Sequence, residues 1–215
     1  MIASHIRLIQ CSNFKYLGIT IDETLSWVPH LNELKRRLSR VLGILYRLRF
    51  YLNFKDLCGV YYALFHSILN YGNIVWGHCS LNKTKGLLSI QRRAIDILRQ
   101  SYLCFNFENE FIRPFEISEI YTMHLGIFYY KILNGLLPYL LQRGDYLLMM
   151  PSPHTHFTRN ALIPRLPKFN TRFARTSVYL KIIDRFVFFS TIIDIQKSKN
   201  IIKNSLKKKI LEIRT

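Results

Sequence analysis

Arg36, Arg40 and Arg47 are spaced so that, at about 100° per residue, all three fall on one side of a helix. Guanidinium groups in such a row can meet successive phosphates of a nucleic-acid strand. A solvated helix face usually mixes signs, whereas Lys35 to Lys55 holds seven basic residues and no acidic one. Lys83, Lys85, Arg92 and Arg93 extend the candidate phosphate contacts to a later segment, and Arg159, Lys207 and Lys208 carry them toward the end. Phe157 and Phe169 could stack on unpaired bases, although core packing is the commoner fate of phenylalanine. Catalytic constellations are scarcer. Glu116 and Glu119 share a helix face, with Glu108 and Glu110 near, and solvated carboxylates around a helix start are the favoured reading. His154 and His156 have the chemistry of metal ligands, but no Cys or carboxylate lies close by in sequence to complete a set. Ser, His and Asp all occur without a Gly-x-Ser-x-Gly elbow to frame a nucleophile. No catalytic residue, metal ligand or cofactor is assigned.

The overall charge points the same way as the arginine row. Thirty-one Lys and Arg against thirteen Asp and Glu leave a net charge of +18 over 215 residues. An excess of this size implies a polyanionic partner, either nucleic acid or an anionic membrane surface. Integral membrane insertion is excluded, because it needs roughly 20 consecutive apolar residues. The best run, Leu125 to Leu141, is broken by Lys131, Asn134, Gly135 and Pro138. Residues 1–7 contain no apolar signal-peptide core. Cys11, Cys58, Cys79 and Cys104 are far apart, as expected of reduced, partly buried thiols. An intracellular protein, nuclear or cytoplasmic, is expected.

These residues need elements to hold them. Ile6 and Leu8, then Leu17, Ile19 and Ile21, alternate at period two and predict a short hairpin over residues 1–24. A helix follows, with Ser26 as cap and Pro29 in its first turn. Its stripe is Leu31, Leu34, Leu38, Leu42 and Leu45, opposite the arginines. A second helix starts at Asn53 with Leu57, Val60, Tyr61, Leu64, Phe65 and Ile68 as its buried face. Ser80 can cap a third, with Leu87, Ile90, Ala94 and Ile97 inward and Lys83, Lys85, Arg92, Arg93 and Arg99 mostly outward. A fourth runs from Ile117 to Leu136, ended by Gly135 and Pro138. Residues 146–183 are basic, with four prolines that argue against long helices. Residues 184–215 end in a basic helix from Lys203 to Arg214, with Leu206, Ile210 and Ile213 on one side. The fold expected is mainly α: a short N-terminal β-hairpin, a helical bundle over 25–145, and a basic, partly irregular C-terminal extension.

Several stretches, in order, resemble the region after the palm in jockey-type non-LTR retrotransposon reverse transcriptases. Phe14-Lys15-Tyr16-Leu17-Gly18-Ile19, Leu25-Ser26-Trp27 and Pro29-His30-Leu31 resemble the palm–thumb junction. Leu69-Asn70-Tyr71-Gly72 with Val75-Trp76-Gly77, then Ile90-Gln91-Arg92-Arg93-Ala94, resemble the family's Tyr-Gly, Trp-Gly turn and its Gln-containing helix. Gly135 to Leu140, Thr158-Arg159 and Pro164 continue the likeness. Two departures stand out: Asp96 lies where a basic residue is usual, and Phe186-Val187-Phe188-Phe189 replaces a Trp-Asn-Leu-Pro.

The resemblance implies a thumb-like bundle that binds RNA, DNA or RNA–DNA duplex. It implies that Tyr16, Leu17 and Gly18 grip a primer strand, an ordinary tight bend being the alternative. It implies, too, a palm and fingers upstream, carrying the carboxylates that hold Mg²⁺. No two of Asp22, Asp56, Asp96, Asp145, Asp184 and Asp194 are adjacent, so this chain is expected to catalyse no synthesis by itself. A decayed transposon remnant, serving as a helical protein-interaction module or without function, is the competing reading. Peripheral attachment to an anionic membrane through the basic tail is a third.

Overall fold

The computed structural model describes residues 11–104, 113–138, 177–193 and 198–214. The fold is mainly helical, with one two-stranded antiparallel hairpin. The chain forms two compact units, Met1–Gly72 with Cys79–Pro114, and Asn73–His78 with Phe115–Thr215. The helical stretch 25–145 is thus shared between two units, and the hairpin belongs to the first. No helix among the described residues is long and apolar enough to cross a membrane.

In the first unit, β1 (Asn13–Tyr16) pairs with β2 (Ile19–Asp22), Tyr16 opposite Ile19. That register leaves Leu17 and Gly18 as a two-residue turn, with φ of 45° and 79°. Positive φ at both central residues marks a type I′ turn, whose twist matches that of right-twisted strands. Leu17 is therefore no member of an Ile19–Ile21 strand face but an exposed turn residue, 71% accessible. Ile6 and Leu8 lie outside the described residues.

Helix α1 (Val28–Leu48) begins at Trp27, not at a Ser26 cap. The Asp22 carboxylate collects the Ser26 and Trp27 amides, both at 2.9 Å, and the Thr24 hydroxyl at 2.5 Å. A carboxylate accepts more strongly than a serine hydroxyl, which here takes only the Val28 amide, at 3.4 Å. The same anchor holds Leu25 and Trp27 in left-handed conformations, φ 50° and 64°, that cost non-glycine residues about 1–2 kcal/mol each. Leu31, Leu34, Leu38, Leu42 and Leu45 are all buried, as the stripe predicts.

Asn53 caps α2 (Phe54–Val60), its side-chain oxygen accepting the Asp56 amide at 3.0 Å. The helix passes through one π turn, Tyr61–His66, into α3 (Ser67–Asn70). The reason lies in Leu57, Tyr61, Phe65 and Leu69, all fully buried at intervals of four. In a pure α-helix three such steps would rotate the stripe by about 120° away from the core. The wider π turn absorbs that drift. Leu64 consequently faces solvent at 43% exposure, and Val60 and Ile68 are only half-buried, contrary to the simpler periodic reading.

Two elements follow in the chain: the short α4 (Asn73–Trp76), which belongs to the second unit, and the long α5 (Leu81–Cys104), which returns to the first. Leu87, Ile90, Ala94 and Ile97 face the core of the first unit, as expected. Helices α1 and α5 lie side by side and run in the same direction. Lys35 lies 3.4 Å from where a Gly86 Cβ would stand, and Arg49 bonds Gln100 at 2.8 Å, so the offset stays 51 residues along the pair.

The second unit is built on α6 (Ile117–Leu133), whose start carries a Glu116–Glu119 capping box, the Glu116 amide donating to Glu119 at 2.6 Å. Those glutamates do structural work. Around α6 stand α7 (Val178–Asp184), α8 (Phe186–Ser190) and α9 (Lys199–Arg214). Their core includes Tyr121, Leu125, Tyr129, Ile182, Phe189 and Leu206. Gly126 permits the approach, since a Cβ there would come within 2.7 Å of Leu206. Two boundaries differ from expectation. Helix α7 crosses the expected break at 183/184, because Ser177 caps it and Ile182 and Ile183 are buried. Helix α9 starts at Lys199, and its buried residues are Ile202, Leu206 and Ile210, leaving Ile213 68% exposed.

Candidate nucleic-acid interface

The first unit presents a basic surface along α1 and α5. Arg36, Arg40 and Arg47 are all exposed, on the side of α1 opposite Leu38. At 1.5 Å per residue they cover about 16 Å of helix length. None of the three takes part in an ion pair among the described residues. The one glutamate of α1, Glu33, is committed elsewhere, to the Lys15 ammonium at 2.9 Å and the Thr20 hydroxyl at 3.1 Å. The Lys15 hydrogen bond, against some desolvation, holds its carboxyl below the usual carboxylate range. On α5, Lys85, Arg92 and Arg93 are exposed.

Lys83 departs from the expected outward pattern. Its ammonium donates to the Ser26 carbonyl at 2.8 Å in a partly buried position, tying the start of α5 to the loop before α1. That bond gives Lys83 a fastening role in the fold and sets it apart from the exposed cations of the set. Lys208 is exposed and Lys207 half-buried on α9, in the second unit. Lys209 bonds Glu212 at 3.1 Å. Arg159, together with Phe157, Phe169, His154 and His156, lies outside the described residues.

A groove of about 590 Å³ opens where α1 and α5 run together. Leu42 and Ile97 form its apolar floor, with Arg47, Arg49, Arg93 and Asp96 around it. Arg49 is fixed on three sides. Its guanidinium lies 4.1 Å from the Tyr46 ring centre and 4.6 Å from that of Phe50, and Nη1 donates to Gln100 Oε1. The two rings stand at 87° to one another, so the guanidinium occupies the corner between them. Phe50 is 68% exposed and Tyr46 52%. Arg49 and these aromatics lie outside the ridge that the arginine spacing predicts. Their signal is the run Tyr46-Arg47-Leu48-Arg49-Phe50-Tyr51, which interleaves rings with cations.

The Tyr16-Leu17-Gly18 candidate sits at the exposed hairpin tip. The Tyr71 hydroxyl donates to the Leu17 carbonyl at 2.5 Å, and its ring lies 3.6 Å from where a Gly18 Cβ would be. The hairpin tip and the Tyr71 turn, far apart in sequence, thus meet in space. The turn geometry by itself accounts for glycine at position 18. His30 packs under the hairpin at 2% exposure, its Nδ1 accepting the Thr20 amide at 3.3 Å. Gln91 is fully buried on α5, beside the Tyr61 phenol. Comparison with family models, curated proteins and solved structures finds none that matches this chain.

Proposed function

We propose that this chain binds nucleic-acid duplex through its phosphates, with little sequence preference, as the thumb side of a non-LTR reverse transcriptase whose palm and fingers it does not contain. The observation that supports this most is the α1 surface: three exposed arginines in a row on a segment without a free carboxylate. Lys85, Arg92 and Arg93 add positive charge on the neighbouring helix. Such a surface attracts RNA, DNA or RNA–DNA hybrid alike, because phosphates carry no base information. In this reading the exposed hairpin tip at Tyr16-Leu17-Gly18 lies against the primer strand. On the same reading the chain acts inside the cell, in the nucleus or cytoplasm, together with the palm and fingers of a full-length polymerase, which supply the Mg²⁺-binding carboxylates.

Fluorescence anisotropy with labelled RNA–DNA duplexes of unrelated sequence tests the reading. Affinity should be similar for all of them and fall steeply between about 50 and about 200 mM salt, as counterion release demands. A flat salt response, or tighter attachment to anionic vesicles than to duplex, overturns it. Given primed template, Mg²⁺ and nucleotides, the chain alone should extend nothing. Extension that disappears on mutating one of its own carboxylates contradicts the assignment.

A further inference from the structure

We propose that the α1–α5 groove is a seat for one unpaired nucleotide, its base stacked on the Arg49–Tyr46 platform and its phosphates held by Arg47 and Arg93. This rests on the duplex-binding reading above and adds a distinct second contact to it. A ridge of arginines needs no cavity, yet here there is one, of about 590 Å³ and with an apolar floor. That volume lies within the range of small-ligand sites, which bind planar aromatic groups on apolar surface with a few placed polar atoms.

Arg49 is what makes the groove suited to a base. A mobile surface arginine would lose conformational freedom on stacking. This one already rests against the Tyr46 and Phe50 rings and bonds the Gln100 side chain, so stacking a base on it orders less. It offers a fixed, planar cation, the kind of surface on which unpaired bases stack. Asp96 decides the orientation. Its carboxylate repels phosphate, so the backbone stays beside Arg47 and Arg93. The base takes the remaining space, where Asp96 and Gln100 can accept from ring or amino N–H groups. A fully paired strand cannot enter, because its bases are stacked on their neighbours.

The probe is a duplex carrying a three-nucleotide overhang, compared with the same overhang made abasic and with the blunt duplex. The abasic strand keeps every phosphate, so the affinity ratio between the two overhangs reports the bases alone. With the unaltered protein we expect the base-bearing overhang to bind about ten-fold tighter. R49K keeps the charge but removes the plane, and Tyr46→Leu removes the ring beneath it. Each should bring the ratio close to one while leaving blunt-duplex affinity unchanged. A ratio near one in the unaltered protein overturns the seat, and that measurement needs no variant to fold. A ten-fold ratio that survives both substitutions moves the stacking site elsewhere and overturns the assignment to Arg49. Loss of blunt-duplex binding as well would strike the underlying reading, whereas steep, salt-dependent duplex binding with no base effect removes only this one.

Discussion

The backbone amide of Thr20 donates to Nδ1 of His30, so the hairpin is fastened to α1 by an imidazole that must stay neutral at that nitrogen. Burial pushes the His30 imidazole below its ordinary value, Glu33 opposes this, and Arg37 and Lys15 reinforce it. A base whose pKa is lowered on folding takes its proton more readily unfolded. The stability it contributes is whole above about pH 6.5 and is lost as pH falls from there through the folded value. Melting temperature measured from pH 8 downward should decline over that window. In His30→Gln the decline should be smaller, and an unchanged pH profile in that variant would assign the loss to another histidine.

Asp22 should control the acid limb. Burial works to raise its carboxyl, but hydrogen bonds from Thr24, Ser26 and Trp27 prevail and hold it far below the usual carboxylate range. Its contribution is therefore complete above about pH 4 and lost as pH drops toward the folded value. Asp22→Asn keeps one acceptor and loses the charge, which should cost about 2 kcal/mol in urea denaturation at neutral pH. The gap between variant and parent should close as both are acidified. A constant gap would mean that the Asp22 charge is not what holds Ser26 and Trp27.

Replacing Arg36, Arg40 and Arg47 together with Gln should leave the fold nearly intact, since exposed substitutions usually stay within about 0.5 kcal/mol each. Duplex affinity should fall alike for every sequence, and the salt slope should shrink by roughly 2 to 3. Lys83→Gln is the informative contrast. It should leave the slope alone and lower stability by about 1 kcal/mol, because its ammonium is bonded to the Ser26 carbonyl. Leu38→Asp, on the opposite side of the same helix, should unfold the unit by stranding a carboxylate in the core.

Gly126→Ala tests the core of the second unit. The added methyl would meet Leu206 at 2.7 Å and Phe189 at 3.1 Å, and both are fully buried. Overpacking of that kind costs about 1–3 kcal/mol. Leu206→Ala removes the obstruction, so the double variant should be less destabilised than the two single costs combined. Strict additivity would show that the two sites do not share space.

Much of this architecture was legible in the residues alone, and the failures have particular causes. The α1 stripe is regular enough that leucine spacing reveals both its buried side and the arginines opposite. The helix start at Asn53 was legible as well, and the structure makes that residue the cap. The π turn was not, because Val60, Leu64 and Ile68 are as apolar as the residues that end up buried. Only packing selects the four-residue interval. The hairpin turn was hidden by Leu17, a poor residue for positive φ that disguises a turn as strand. Lys83 looked like any surface lysine, since nothing local places it beside a carbonyl 57 residues earlier in the chain. The α1–α5 groove was out of reach for the same reason: Arg49 and Gln100 are 51 residues apart.

The parallel course of α1 and α5 has an electrostatic result. Helices begun at Val28 and Leu81 with a 51-residue offset have their first turns nearly level. Each helix carries about half a positive charge at its start and half a negative one at its end. In an antiparallel pair these poles would cancel; here they add. The first turns of both helices, at the Val28 end, therefore favour anions together. Toward the other end the helix poles work against an anion, and there Arg47 and Arg49 supply the compensating charge. The surface thus draws on helix poles at one end and on arginine side chains at the other, so its two ends answer differently to the loss of a side chain.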